Sequence, residues 1–253
     1  MPLSYQQIIT LATATAKCPA WTTQAQALFT VILQELCEGY DFDVARGTTT
    51  FNFFANLVVG APTASGPYTL PSDWLRANKD DVFYTISGIK YVMIPVSLAE
   101  FDGLVQQAGL NSYPENYAVD NSPIANQLPP QLYVWPPPSG SYPVTARYYR
   151  QMPDPTPAQM TDGVTIPWFP NTQYLLRRLT GELMLLTNDD RAPMFLGGEY
   201  KQQDGAVFLG SAAILDRYMK MKDDEQVVKR VTLDKRFFGG KLSSVPNTKI
   251  IGW

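Results

Sequence analysis

The chain of 253 residues contains no histidine. Histidine is the commonest general base at neutral pH and the commonest metal ligand. Its absence excludes Ser-His-Asp triads, Cys-His pairs and His-based zinc sites. The two cysteines, Cys18 and Cys37, are also too few for a four-thiolate metal site.

The two cysteines are not expected to form a disulfide. The sequence pattern places them at opposite ends of a helix of about sixteen residues, which separates them by roughly 24 Å at 1.5 Å per residue. A disulfide requires Cα atoms within about 7 Å of each other. Free thiols fit assembly in a reducing cytoplasm.

Long apolar runs are also missing. No stretch of the sequence approaches eighteen apolar residues, and the N-terminus has no basic region followed by an apolar one. The sequence therefore predicts a protein that neither spans a membrane nor carries a cleaved signal.

Positive charge is scarce overall and unevenly placed. The net charge is -3 and the isoelectric point is about 5.0, which argues against a whole face that binds nucleic acid. From Arg217 onward, however, there are nine Lys or Arg against four Asp or Glu. This asymmetry favours an acidic body with a basic arm, although a solvated helix end followed by a solvated tail would look the same.

Sequence motifs for catalysis are weak. No glycine-rich phosphate loop and no Gly-x-Ser-x-Gly elbow occur. Paired carboxylates could in principle hold a cation or act as an acid-base dyad. Most of them fall at helix ends or before strands, where Asp satisfies the backbone locally or is solvated. These pairs are Asp41/Asp43, Asp80-Asp81, Asp189-Asp190 and Asp223-Asp224-Glu225.

A group of aromatic residues and arginines in the middle of the chain has two interpretations. The rings could stack bases on a strand surface, as in single-strand binders, or could pack as a cross-strand aromatic ladder inside a lobe. The neutral to acidic surroundings favour packing. The group consists of Tyr133, Trp135, Tyr142, Tyr148, Tyr149, Arg147 and Arg150.

Hydrophobic periodicity predicts helices at both ends of the chain. A first helix begins after the cap Ser4 and runs to about residue 17, and a second covers about 22–38. A short helix over 97–107 begins with a Ser97/Glu100 capping box. Helical spacing returns over 174–188, and Phe208, Ala212, Leu215 and Met219 mark a fourth bundle helix.

The central part of the chain has the pattern of strands and turns. Residues 82–86 and 89–94 flank a Ser87-Gly88 turn and predict a hairpin. A second hairpin is expected to join 132–135 to 144–149 across the prolines 136–138. A β region is predicted to begin near 48–54, and 60–66 and 111–127 have the composition of exposed loops.

These elements predict a mixed α+β fold, in which a small helical bundle carries an inserted β-rich lobe and an extended C-terminal arm. The expected parts are a helical hairpin over 1–43, the lobe over 44–150, a second helical pair over 151–222 and the arm over 223–253.

Several stretches of the lobe and the second helical pair resemble head-to-tail adaptor proteins of short-tailed, double-stranded DNA bacteriophages. They are Pro67-Tyr68-x-Leu70-Pro71-Ser72-Asp73-Trp74-Leu75-Arg76, residues 81–88 and 94–102, residues 132–138 with 144–150, and residues 167–171 leading into 175–186. The resemblance covers most of residues 1–222.

The resemblance implies a structural virion protein without catalytic residues, cofactor, metal or membrane contact. It implies a homo-oligomeric ring, of about twelve copies, beneath the portal protein at the head-tail interface, assembled in the cytoplasm of the bacterial host. Such a ring would extend the channel for genomic double-stranded DNA without sequence-specific binding and would carry tail nozzle or fibre proteins. The alternatives are a tail nozzle or tail-tube component and, less favoured, a metal-assisted hydrolase using the acidic pairs.

The C-terminal arm has the composition of a docking segment rather than of a solvated tail. We expect Arg230, Lys235 and Arg236 to pair with portal carboxylates, and Phe237, Phe238 and Trp253 to fill apolar pockets of the portal. The alternative is an arm that folds back on its own domain.

Overall fold

The computed structural model describes residues 2–54, 65–106, 112–126, 128–201 and 207–221. These residues form six α-helices, two short 3-10 turns (Asp43–Ala45 and Ser122–Asn126) and ten strands, which confirms the predicted α+β class. The helices are α1 (Tyr5–Thr15), α2 (Thr22–Gly39), α3 (Leu98–Val105), α4 (Thr172–Leu186), α5 (Ala192–Leu196) and α6 (211–221).

The strands lie in three sheets. The first has the order β1 (Arg46–Asn52), β8 (Pro143–Arg150), β3 (Trp74–Ile86) and β4 (Ile89–Val92). The second has the order β2 (Ser65–Thr69), β7 (Gln131–Trp135), β6 (Asn116–Asp120) and β5 (Ile94–Pro95). The third is the pair β9 (Glu199–Lys201) and β10 (Val207–Leu209).

The chain divides into two compact units. One comprises Met1–Ile32 and Pro155–Trp253, and the other comprises Leu33–Asp154. The division falls inside α2. The predicted lobe boundaries, 44 and 150, rested on composition alone and remain a prediction.

Local sequence signals set the helix starts. The Ser4 side chain accepts a hydrogen bond from the Gln7 backbone N–H, and the Gln7 side chain accepts one from the Ser4 N–H. The same reciprocal arrangement joins Ser97 and Glu100 at α3. Each pair satisfies backbone donors that a helix start leaves unbonded.

The helical unit is built on α1 and α4, which pack against each other. Ile8 and Ala12 of α1 are fully buried, as are Leu179 and Leu183 of α4. These residues recur at helical spacing, so each helix presents one apolar stripe to the core.

The two four-stranded sheets of the other unit share one core. The first sheet contributes, among others, Trp74, Tyr84 and Tyr148, and the second contributes Tyr117 and Leu132. All five side chains are buried. Alternation along β8, where Val144, Ala146 and Tyr148 face inward, explains why a strand forms here.

The hairpin predicted at Ser87-Gly88 is confirmed. Strands β3 and β4 pair antiparallel, with Ile86 opposite Ile89. Both turn residues have positive φ, 49° for Ser87 and 83° for Gly88. That backbone matches the right-handed twist of the flanking strands, and glycine adopts it without strain.

The second predicted hairpin is wrong. Strand β7 pairs with β2 and β6 in the second sheet, whereas β8 pairs with β1 and β3 in the first. The intervening Pro136, Pro137 and Pro138 lack the N–H donors that would extend a ladder from β7. The chain therefore changes sheets at the position where a turn was expected.

Two other expectations need correction. Residues 111–127 were predicted to be a loop, yet β6 lies within them as an inner strand, with Tyr117 and Ala118 buried. Phe208 belongs to β10 rather than to the last helix. Short strands such as β6 and β10 are stabilised by pairing with other strands, β5 and β7 for β6 and β9 for β10, which the composition of the strand itself does not report.

We predict that Gly210→Ala destabilises the helical unit. A Cβ at Gly210 would lie 2.8 Å from the Met194 carbonyl oxygen and closer still to the carbonyl oxygen of Gly197. Backbone atoms cannot move aside as a flexible side chain can, so we expect a loss of about 1–3 kcal/mol in unfolding free energy, measured by urea denaturation.

Gly103→Ala is the matched control, because Gly103 lies in α3 with open space around a built Cβ. Its higher helix propensity should stabilise the protein by up to about 1 kcal/mol. Equal effects of the two substitutions would contradict the packing argument.

We also predict that alkaline pH destabilises the β-rich unit. Burial raises the pKa of Tyr84 to about 12, with the nearby Tyr142 and Tyr91 adding to the effect. Burial and a hydrogen bond to Asp73 raise the pKa of Tyr148 to about 12. Since the unfolded chain loses these protons near pH 10, the stability they contribute is complete below that pH and is lost as the pH rises toward 12.

The measurement is the free energy of unfolding across this alkaline range. Tyr148→Phe should make the pH dependence shallower, and at neutral pH it should cost about 1 kcal/mol through the lost hydrogen bond to Asp73. A pH dependence equal to that of the unsubstituted chain would refute the assignment.

Candidate functional site

The six residues predicted to contact the portal lie outside the described residues. They are Arg230, Lys235, Arg236, Phe237, Phe238 and Trp253. Their role therefore remains a prediction. The described residues contain other features that bear on function, which are the carboxylate pairs, the aromatic group and one exposed strand edge.

Arginines pair with several of the carboxylates that stand close together in the sequence. Asp41 accepts two hydrogen bonds from Arg76, at 2.9 Å from Nε and 2.6 Å from Nη2, and Asp43 lies 3.0 Å from Arg46. Asp81 lies 3.4 Å from Arg147. These carboxylates therefore have the geometry of ion pairs rather than of an acid-base dyad.

Asp189 shows the same pattern in the helical unit. It accepts hydrogen bonds from the Arg191 side chain, which lower the pKa of the Asp189 carboxyl to about 2. The described ranges contain no group of three or more carboxylate or cysteine side chains arranged to hold a metal ion. The Asp223-Asp224-Glu225 run lies outside those ranges.

The aromatic group is divided among separate places. Tyr148 stacks on Trp74 with ring centroids 4.7 Å apart, and Tyr142 stacks on Tyr84 at 5.5 Å. Trp135 belongs to a small cluster around Phe101, against which Tyr133 packs. The rings do not form one row, so the arrangement supports packing over base stacking.

The ring of Tyr149 packs against two arginine side chains. It lies beside the guanidinium groups of Arg46 and Arg76, with centroid distances of 5.8 Å and 5.5 Å. Arg76 also donates to Asp41 and to the Glu38 carbonyl oxygen at 2.8 Å. These contacts hold Arg76 to the C-terminal end of α2 and to the segment that follows it.

One exposed stretch stands apart because it is both apolar and extended. We call residues 89–95 the edge segment; it comprises β4, Met93 and β5. Ile89 is 59% exposed, Val92 45% and Ile94 61%, whereas Met93 is buried. Tyr91 and, just beyond the segment, Leu98 are exposed as well. Groups of exposed apolar side chains mark interaction sites more often than single ones do.

Within the part of the chain that the structure describes, some backbone groups of the edge segment have no strand partner. Among the described strands, β4 pairs only with β3. The Met93 N–H donates to the Val82 carbonyl at 2.9 Å. Because hydrogen-bonded pairs alternate along an antiparallel ladder, the N–H groups of Lys90 and Val92 face away from β3.

Carboxylates are more frequent than cations in the sequence that follows this edge. Glu115 is exposed, and its carbonyl oxygen accepts a hydrogen bond of 2.8 Å from the Ile94 N–H. Glu100 and Asp102 are exposed on α3, which begins three residues after β5. Between residues 89 and 116 the sequence has these three acids against the single cation Lys90.

The sequence predicted the edge segment only as the second strand of a hairpin. The available signal was the near absence of polar residues between Ile89 and Val96, since a strand with one solvated face normally alternates apolar with polar residues. Its position at the end of a sheet could not be read from this pattern.

Comparison with known proteins identifies the class of protein. The family model described as SU10 adaptor protein matches residues 3–227. The chain is therefore a phage head-to-tail adaptor, as its resemblance implied. It belongs to the SU10 adaptor protein family, and this assignment favours the adaptor over the tail-tube and hydrolase alternatives. No curated protein matches the chain.

The family is one of structural adaptors, and adaptors act by binding other virion proteins. Within the described residues, no helix is both long enough and apolar enough to cross a bilayer. The match ends at residue 227, before the predicted portal-binding residues of the arm.

We predict that divalent cations leave the melting temperature of the protein unchanged. Ligands that bind only the native state stabilise it by about 2.7 kcal/mol at a concentration of 100 times Kd. Because Asp41, Asp81 and Asp189 already pair with arginines, millimolar Mg²⁺ or Mn²⁺ should give no rise beyond that produced by K⁺ at equal ionic strength. A cation-specific rise would revive the hydrolase alternative.

Proposed function

We propose that the protein forms a closed ring of about twelve copies beneath the portal, where it extends the DNA channel and provides the platform for the tail. The observation that carries this proposal is the family match over residues 3–227, which makes the chain a phage adaptor. Neighbouring copies would contact each other through two different surfaces, as a closed ring requires.

The charge distribution supports a channel role. The net charge is -3, and the basic residues are concentrated after Arg217, so the rest of the chain is acidic. An acidic wall repels the DNA backbone and lets the duplex pass without sticking.

The arm is the proposed portal anchor. Arg230, Lys235 and Arg236 would pair with portal carboxylates, and Phe237, Phe238 and Trp253 would fill apolar pockets. Gly239 and Gly240 would let the chain bend between the two sets of anchors. An arm that becomes ordered on binding loses conformational entropy, which opposes binding. Burial of the aromatic rings therefore has to contribute more free energy than this ordering costs.

The β-rich unit is the proposed platform for tail nozzle or fibre proteins. Deleting residues 112–126 is not a clean test of this role, because the deletion removes β6 from the middle of the second sheet. Substitution of exposed residues, such as Tyr113 or Ile124, leaves the sheet intact and should impair tail attachment while sparing portal binding.

We predict that truncation after Lys222 abolishes portal binding without unfolding the protein. The truncated chain keeps α1 to α6 as far as the structure describes them, so its melting temperature should match that of the full chain. Each buried ring of the arm should contribute on the order of 2 kcal/mol to binding. The measurement is portal affinity, together with negative-stain images of each protein alone and with the portal.

We expect the full chain alone to be largely monomeric in sizing chromatography and to form rings only with the portal. Abundant free rings at micromolar concentration would contradict templated assembly. If the truncated protein binds the portal normally, the anchor lies elsewhere; if it unfolds, the arm belongs to its own core.

A further inference from the structure

The edge segment, residues 89–95, has the properties of a strand-docking site. Its apolar side chains are exposed, and its outward N–H and C=O groups form a template for another strand. Stable monomers protect such edges with bulges, prolines or several charges. In the edge segment, β4 carries only the charge of Lys90, and the one proline, Pro95, lies in β5.

We propose that residues 226–233 of a neighbouring copy add as a strand to the edge segment. This inference rests on the proposed ring for its role in assembly, and it adds a contact between copies to the portal contact of the arm. Main-chain hydrogen bonds would supply the affinity and the exposed apolar side chains the specificity, as in other cases of strand addition.

The sequence of residues 226–233 suits this role. Gln226-Val227-Val228-Lys229-Arg230-Val231-Thr232-Leu233 contains three valines and a threonine, which favour strands, and has no glycine or proline. In a strand, Val227, Val231 and Leu233 share one face. Such a face matches Val92 and Ile94, which are exposed, apolar and two residues apart.

Charge complementarity points to the same occupant. Residues 226–253 contain six Lys or Arg and one Asp. The edge segment and its surroundings, residues 89–116, contain three carboxylates and one lysine. Because Lys229 and Arg230 would point to opposite faces of a strand, one of them would meet these carboxylates and the other would remain available to the portal.

A second copy is favoured over the chain's own arm. The described residues of one copy leave Ile89, Val92 and Ile94 between 45% and 61% exposed. A closed ring requires a contact between neighbouring copies, and a strand supplied by the next copy provides one. Exchange of such arms around a ring would link each copy to the next through two different surfaces.

The first test uses a synthetic peptide of residues 226–236 and the full-length protein, without portal. We expect saturable binding with Kd below about 1 mM, weakened by salt. The same peptide with Val231→Pro should not bind, because proline interrupts the strand. No saturable binding of the unsubstituted peptide, or equal binding of both peptides, would overturn the proposal.

A substitution in the protein locates the site. Val92→Pro removes an outward N–H that β3 does not use, and edge positions of this kind tolerate proline. We expect it to weaken peptide binding about tenfold, whereas the matched Val92→Thr keeps the N–H and should bind as the unsubstituted chain does. Unchanged binding by a folded Val92→Pro protein would refute the assignment of the edge.

Hydrogen exchange tests the unsubstituted chain and so does not depend on folding of a variant. The peptide should slow exchange of the Lys90 and Val92 amides, which face outward, and leave the Tyr91 amide unchanged because it already bonds to β3. Equal exchange at Lys90 and Val92 with and without saturating peptide would exclude strand addition. Since no portal is present, failure of the portal anchor would not affect this result.

Disulfide trapping distinguishes a second copy from the same chain. The natural Cys18 and Cys37 are buried and unpaired, so a chain with Val92→Cys can be mixed with a chain carrying Val231→Cys and oxidised. An interchain disulfide between the two introduced cysteines is expected. Its absence at protein concentrations above the Kd measured with the peptide, or an intrachain disulfide in the doubly substituted chain at high dilution, would overturn docking between copies.

Discussion

Burial of aromatic side chains between two sheets is the interaction on which the β-rich unit depends. Tyr84 and Tyr148 of the first sheet meet Tyr117 and Leu132 of the second. Strand β8 lies between β1 and β3, so its backbone is paired on both sides while Val144 and its inward neighbours reach the core. With β8 and β3 as the inner pair, β4 becomes the end of the sheet. The same strand order that completes the core therefore leaves an apolar strand at the edge.

Several carboxylates of the described residues are held by arginines. Asp41, Asp81 and Asp189 each face an arginine, so these carboxylates orient local structure rather than offering a vacant site. The candidate functional sites are therefore surfaces that bind other proteins. Binding through protein surfaces agrees with membership of the SU10 adaptor protein family. The candidate binding surfaces are the edge segment and the basic arm.

Features that depend on neighbours in sequence were predictable. Ser4 with Gln7 and Ser97 with Glu100 cap their helices through groups three residues apart. The Ser87-Gly88 turn joins adjacent strands. In each case the partners are held close by the chain itself, so residue type and spacing are sufficient. The family resemblance was equally accessible, since it is carried by short stretches of residues.

The sequence by itself determined the starts of α1 and α3, the local hairpin, the α+β class and the asymmetry between an acidic body and a basic arm. Only the tertiary structure decided that β7 and β8 belong to different sheets, that β6 is an inner strand, and that residues 89–95 form an edge. The reason is physical. Strand pairing is a competition among segments distant in sequence, settled by the burial of side chains such as Tyr117 and Val144 in a shared core, and the alternation along one strand does not specify its partner.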